Sequence, residues 1–369
     1  MKRAALDPVD LLVRLVAARS YSGSEGPAAD VLETALRAAK ADVRRLGDNV
    51  IATKGRGTRG LLFTSHIDTV PAANGWTRDP CTPIVDRDRL YGLGATDAKS
   101  CVAALAAAFV AAPDPRRRGR LVFTATTEEE TGGTGRPNGM ERTLPELGPL
   151  AGAIVGEPTS LNICPAQRGL LRLVLHVDGR AGHASRPWEG INAIELAAED
   201  ILALRQLSEE LARAADPRAG VPTIQATLMK AGTAKNVIPD SAQVTLDVRT
   251  TPTCDNATLL TRIRKTVRAR VEVISDRFRP IATPANSAII RAARAALPKA
   301  TLTPFGGVSD MFFLQSHKDG AVPACLIGPG DGRQSHQPDE FVSLARVRAA
   351  AAALTDIATR FWELADHGH

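Results

Sequence analysis

The 369-residue chain has no apolar run near the roughly 20 residues that a helical membrane span needs, so it is not expected to contact a membrane. Its first ten residues carry Asp7 and Asp10 where a secretory leader would be apolar, and export is not expected either. Cysteine is sparse. Cys81, Cys101, Cys164, Cys254 and Cys325 are odd in number, far apart and without a Cys-x-x-Cys pair. That spacing argues against a disulfide framework and a thiolate zinc cluster, and makes a reducing cytoplasm the expected compartment. Aromatic residues are only 4% of the chain. The net charge of +6 is mostly scattered arginine, with one tight run, Arg116-Arg117-Arg118, that reads as a solvated loop. Without interleaved aromatics it gives no stacking surface, so nucleic acid is not an expected partner.

What is present is a globular composition, 44% hydrophobic and 23% charged, with enough apolar material for a large core. At ~150 residues per domain the length suggests two domains. The first third alternates short apolar strands with alanine-rich helices: Leu61–Phe63 runs into Thr-Ser-His-Ile-Asp, Leu121–Thr126 runs into Thr-Glu-Glu-Glu, and Ala98–Ala112 between them reads as a buried helix. This pattern predicts an α/β fold with a mostly parallel sheet flanked by helices, whose ligands gather at the carboxyl ends of strands. From Gly169 the texture changes. Leu170–Val177, Thr223–Lys230 and Gln243–Thr250 alternate as half-exposed strands, and Asn192–Ala215 is a long amphipathic helix, which together suggest a smaller α+β unit. After Pro280 helix Ser287–Leu297, strand Ala324–Ile327 and helix Leu344–Leu364 restore the first pattern. The expected organisation is a larger domain formed by 1–168 and 281–369, interrupted by an inserted domain over 169–280.

The chemistry concentrates where strands end. His66 and Asp68 are two residues apart on extended backbone, so both side chains point to one side and Asp68 can steady the imidazole. His336 lies in a glycine-rich loop, Gly328–His336, after a short strand. Taken alone, either histidine could equally be structural, Asp97 could be a helix N-cap, and Glu128-Glu129-Glu130 and Glu157 could be solvated strand ends. Together, two histidines and three acid sites are the nitrogen and oxygen donors that a pair of divalent ions takes, with one glutamate left over as a base.

A set of motifs then resembles the M20-type metal-dependent aminoacylase and carboxypeptidase superfamily, which contains acetylornithine deacetylase and succinyl-diaminopimelate desuccinylase. The matching stretches are Ser65–Pro71, Gly92–Lys99, Thr127–Thr131, Gly156–Thr159, Gly179–Ser185, Asn236–Pro239 and Ser335–Glu340, in the family's order and across most of the chain. The resemblance implies one ion on His66, Asp97 and Glu157, and a second on the shared Asp97 with Glu130 and His336. Asp68 would orient His66. Aligned on Thr131, Glu129 becomes the general base, and a one-residue slip would make it Glu128. Zn²⁺ is the expected metal, with Co²⁺ and Mn²⁺ as alternatives. His183 would help stabilise the oxyanion in a neighbouring subunit's site, so the insert is expected to act as a lid and to form a homodimer. Asn236, Arg249, Gly307 and Ser309 would bind substrate; for Arg249 an exposed strand arginine, and for the Gly306–Asp310 loop a helix cap, remain open.

The closing motifs and His183–Ile194 resemble acetylornithine deacetylases, so the expected reaction is release of acetate from acetylornithine in arginine biosynthesis. Succinyl-diaminopimelate and acetylcitrulline are the nearest alternatives, then dipeptide or carboxypeptidase cleavage. A non-catalytic family member would lack a ligand or the base, and none is missing. Gly92-Leu93-Gly94 is no dinucleotide fingerprint, because no third glycine follows at the right offset and an acid stands where phosphate would sit. His176 and His317 match no motif and read as structural, and His367 and His369 belong to a terminal tail.

Overall fold

A computed structural model describes residues 5–115, 118–131 and 137–365. Arg116, Arg117, His367 and His369 lie outside the described residues. The chain opens with α1 (Pro8–Ala17), capped by the Asp7 carboxylate on the Val9 N–H, and α2 (Gly26–Ala38). Strands β1 (Asp42–Leu46), β2 (Asn49–Gly55) and β3 (Gly60–His66) follow, then a small hairpin of β4 (Ile84–Asp86) and β5 (Arg89–Tyr91). Helix α3 (Lys99–Ala111), β6 (Arg120–Thr126), the short α4 (Gly139–Thr143) and β7 (Leu150–Val155) complete this part. The insert contains β8 (Ala166–Gln167), β9 (Gly169–Asp178), β10 (Gly182–His183), α5 (Ala193–Ala212), β11 (Thr223–Ala231), β12 (Val237–Ile238), β13 (Ser241–Thr250), α6 (Asn256–Thr266), β14 (Arg270–Phe278) and β15 (Ile281–Ala282). Then come α7 (Ala288–Ala296), β16 (Ala324–Leu326), β17 (Phe341–Ser343) and α8 (Leu344–Ala365).

The larger unit comprises the chain up to Pro165, Thr283–Thr303 and Ser309 onward. Its six-stranded sheet runs β1-β2-β6-β3-β7-β16, with β6, β3, β7 and β16 parallel and β2 and β1 antiparallel at one edge. Every residue of β3 is buried, as expected for a strand covered on both faces. Helix α3 is buried on nearly every side because small and apolar residues fill every position after Lys99; it packs against α1, α8, β3 and β6. Lys54 of β2 donates to the carbonyls of Phe109 and Ala112, so a buried ammonium meets the negative end of that helix. Among the described residues no helix is long and apolar enough to cross a membrane.

The smaller unit comprises Ala166–Ala282 with Pro304–Val308. Its sheet, β11-β13-β9-β14, is antiparallel throughout. Alternation puts Leu171, Leu173, Leu175 and Val177 of β9, and Ala242, Val244, Leu246 and Val248 of β13, into one core with Ala197, Leu204, Leu207 and Leu211 of α5 and Leu259 and Ile263 of α6. The loop around Phe305 joins this unit because its backbone bonds to Ala166 and Arg168. Helix α5 stops at Ala212, three residues short of the expected end. The buried Asp216 carboxylate accepts the N–H groups of Arg218, Ala219 and Thr253 and holds the next turn in a non-helical form.

In the larger unit, Phe361 of α8 is fully buried, edge-on to Trp362, and lies over Gly152 of β7, where a Cβ would come within 2.9 Å of its ring. Phe361→Ala is expected to cost about 3–5 kcal/mol of stability, read as a lower urea midpoint for this unit.

Candidate metal centre

Three parallel strands carry the chemistry to one edge of the sheet. β3 ends on His66; Glu129 and Glu130 stand just after the end of β6, and Glu157 just after that of β7. The loop after β16 brings in His336, and Asp97 precedes α3. Short bonds fix these ends: Ser65 Oγ donates to the Gly156 carbonyl at 2.9 Å, and the Gly156 N–H to the Thr64 carbonyl at 2.7 Å. Glycine is required at 156, because a Cβ there would lie 2.7 Å from the Cys101 Cβ and 2.9 Å from the Ser65 Cβ.

Asp97 stands between the two imidazoles. Its Oδ1 is 3.4 Å from His66 Nε2 and its Oδ2 is 3.9 Å from His336 Nε2, while Glu130 Oε1 is 3.0 Å from His336 Nε2. One donor atom each from His66, Asp97 and Glu130 lies within 4.8 Å of the others. Glu157, 5% exposed, faces the charges of His66, Asp97 and Glu130. Thus His66, Asp97, Glu130 and His336 are linked by direct distances, and Glu157 lies within electrostatic reach of His66, Asp97 and Glu130. These imidazoles and carboxylates, with no thiolate, are a donor set that fits divalent zinc, manganese or cobalt.

The electrostatics point the same way. Burial opposes charge on His66, yet Asp68 and Asp97 outweigh it and raise the imidazole well above its ordinary value. His336 is pushed up to about 9, chiefly by its bond to Glu130. Burial raises Asp97 and Asp68, but their bonds to His66 prevail and hold both below the usual carboxylate range. Glu129 and Glu157 rise well above that range, first from desolvation and then from neighbouring carboxylates, despite the opposing pull of His66. Two imidazoles cannot balance so many acids, and a bound cation can.

Asp68 does more than steady His66. Its Oδ1 lies 3.4 Å from His66 Nδ1 and accepts the Glu129 N–H at 3.2 Å, while its Oδ2 accepts the Glu130 N–H at 3.0 Å and the Ser22 hydroxyl at 2.7 Å. It therefore fixes a histidine and the turn that carries the acids. Glu128 is turned away from that group: its φ is +57°, its N–H donates to Glu25, and its carboxylate pairs with Arg142. Glu129 sits instead among His66, Glu157 and Glu130.

Asp310 and Glu340 are buried acids to which the sequence gave no catalytic or ligand role. Asp310 accepts the Thr126 hydroxyl at 2.7 Å, and burial pushes it up to about 6. Glu340 accepts the backbone N–H groups of Gly94, Thr96 and Asp97. The available signal was an ionisable residue directly before the apolar strand Phe341-Val342.

The remaining expected residues fall in or beside the smaller unit. His183 is exposed on β10, opposite Val237 of β12, with its Nδ1 2.7 Å from Ser185 Oγ. Asn236 is its neighbour across that ribbon and accepts the Ala184 N–H. The Arg249 guanidinium is held by Asp247 at 2.7 and 3.2 Å. Gly307 lies beside the Phe305 ring, whereas Ser309 belongs to the larger unit and caps the short helix that begins at Asp310 by accepting the Met311 N–H. His176 pairs with Glu272, and His317 meets the Gly148 carbonyl at 3.1 Å.

Residues 62–360 match the family described as peptidase family M20/M25/M40. Over 85% of its length the chain is 31% identical to the acetylornithine deacetylases of Proteus mirabilis and Erwinia tasmaniensis, covering 82% and 83% of those proteins. In structure it resembles a tripeptidase from Staphylococcus aureus (TM-score 0.76, 20% identity, 97% of this chain and 98% of that one). It also resembles a dinuclear metal-binding M20 peptidase from Bacillus subtilis (TM-score 0.74, 16% identity, 96% and 98%). These two likenesses concern the fold: an α/β sheet flanked by helices with a smaller insertion domain.

Because Asp68 is the acceptor for the Glu129 and Glu130 amides, Asp68→Ala should speed hydrogen exchange at both by at least about tenfold while leaving the β3 amides slow. Mass spectrometry of peptides spanning 60–66 and 127–131 reads this directly.

Proposed function

We propose that this chain, which belongs to peptidase family M20/M25/M40, converts acetylornithine to ornithine and acetate. The coarser activity, metal-dependent hydrolysis of an amide or peptide bond, follows from the family and from the His66, Asp97 and Glu130 cluster. The substrate rests on one observation, the 31% identity to acetylornithine deacetylases along 85% of the chain.

In this reading His66, Asp97 and Glu157 hold one divalent ion, and Asp97, Glu130 and His336 a second, with zinc the working metal. When bound, such ions polarise the amide carbonyl and acidify water. Glu129 takes the proton from the attacking water as the C–O bond forms and delivers it to the amine as the C–N bond breaks. Asp68 keeps His66 and the Glu129 backbone in register. His183 serves the oxyanion, and Asn236, Arg249, Gly307 and Ser309 contact the amino acid, Arg249 exchanging its Asp247 partner for the substrate's α-carboxylate. The insert forms a homodimer, supported by edge strand β11 with Leu228 63% and Met229 43% exposed, and sedimentation at twice the chain mass checks it.

Amine release is measured side by side from acetylornithine, acetylcitrulline and succinyl-diaminopimelate, with Zn²⁺ or Co²⁺ added. Acetylornithine is expected to be fastest; a preference for either other substrate replaces the assignment, and no activity on any of them removes it. In the same assay Glu129→Ala should retain metal and lose about 10²–10⁴-fold in turnover. Glu128→Ala, at a carboxylate that pairs with Arg142 rather than joining the ligand group, should stay within about threefold.

A further inference from the structure

Glu340 is 1% exposed and four residues beyond His336. Its Oε1 accepts the N–H of Thr96 at 2.6 Å and of Asp97 at 3.0 Å, and its Oε2 accepts the N–H of Gly94 at 3.1 Å. Its own carbonyl accepts the Gly92 N–H at 3.0 Å, and the next carbonyl, of Phe341, accepts the Thr96 hydroxyl at 2.7 Å. The loop it grips is irregular, with φ of +151° at Gly92 and +77° at Gly94, and it makes no helix or strand that could satisfy those donors. A buried N–H left unpaired costs about 1–3 kcal/mol, so without an acceptor this loop would rearrange. The residue at its end, Asp97, points its two oxygens at the two imidazoles.

We infer that Glu340 is the positioning residue of the metal centre: it sets the Gly94–Asp97 backbone, and through it the Asp97 carboxylate, before any ion arrives. The inference rests on the reading of Asp97 as a metal ligand and goes beyond it by assigning a role to an acid that touches neither metal nor substrate. Glutamine at 340 keeps the length but turns one acceptor oxygen into an NH₂ group that faces N–H donors. Asp339 is the control: it lies in the same motif and accepts the N–H and hydroxyl of Thr77, so its loss loosens the motif without freeing the Asp97 loop.

Zinc affinity is measured by competition with a chromophoric chelator for the parent, Glu340→Gln and Asp339→Asn, with circular dichroism of each. Glu340→Gln is expected to bind about 10–100-fold more weakly with an unchanged spectrum, and Asp339→Asn within about threefold of the parent. Equal affinity in Glu340→Gln, or an equal loss in Asp339→Asn, overturns the inference while leaving the metal reading intact. A parent that takes up no zinc overturns both. Should Glu340→Gln not fold, hydrogen exchange in the parent decides. Slow exchange at Gly94, Thr96 and Asp97 before zinc is added supports a loop set in advance, and exchange that slows only with zinc refutes it.

Discussion

Like charges crowded where the central parallel strands end are the condition that the rest of the structure answers. Asp68, Asp97, Glu129, Glu157 and Asp310 are drawn together around His66 and His336, with the buried Lys99 also facing Asp68, and desolvation alone would drive the group apart. Parallel strands buried on both faces supply the rigidity that holds it. Backbone N–H groups do the rest: two from the Glu129-Glu130 turn fall on Asp68, and three from the Asp97 loop fall on Glu340. In both cases a carboxylate that is not itself an expected ligand shapes the backbone that presents one.

Much of this could be read from the chain because strand ends and ligands coincide. A short apolar run followed at once by His66 or by Glu128-Glu129-Glu130 marks both the element and the chemistry, and α3, nearly uniform in small apolar residues, is unmistakable as a central helix. The α5 boundary was harder, since alanine continues past Ala212 and the turn that follows is closed on Asp216 by the N–H groups of Arg218, Ala219 and the distant Thr253. Three adjacent glutamates are alike on paper. A left-handed φ at the first and its Arg142 partner separate Glu128 from its neighbours, and neither follows from local pattern.

The same limit explains Glu340 and Arg249. Acceptors for backbone N–H groups leave no trace in residue type at the donor positions, so the clasp between residues 94–97 and 340 was invisible although both motifs were recognised. Arg249 offered a fork for a carboxylate, and the strand periodicity that placed it also puts Asp247 two residues away on the same face, where the fork closes on it.

Strand β16 joins the edge of the larger sheet only after the whole insert has been traversed, and the His336 loop follows it. Glu130 and its partner His336 are 206 positions apart. On the ribosome, where chains grow at about 5–20 residues per second, the early strands emerge many seconds before their last counterpart exists. A nascent chain therefore displays the acids and one imidazole without the other until the His336 loop has been made.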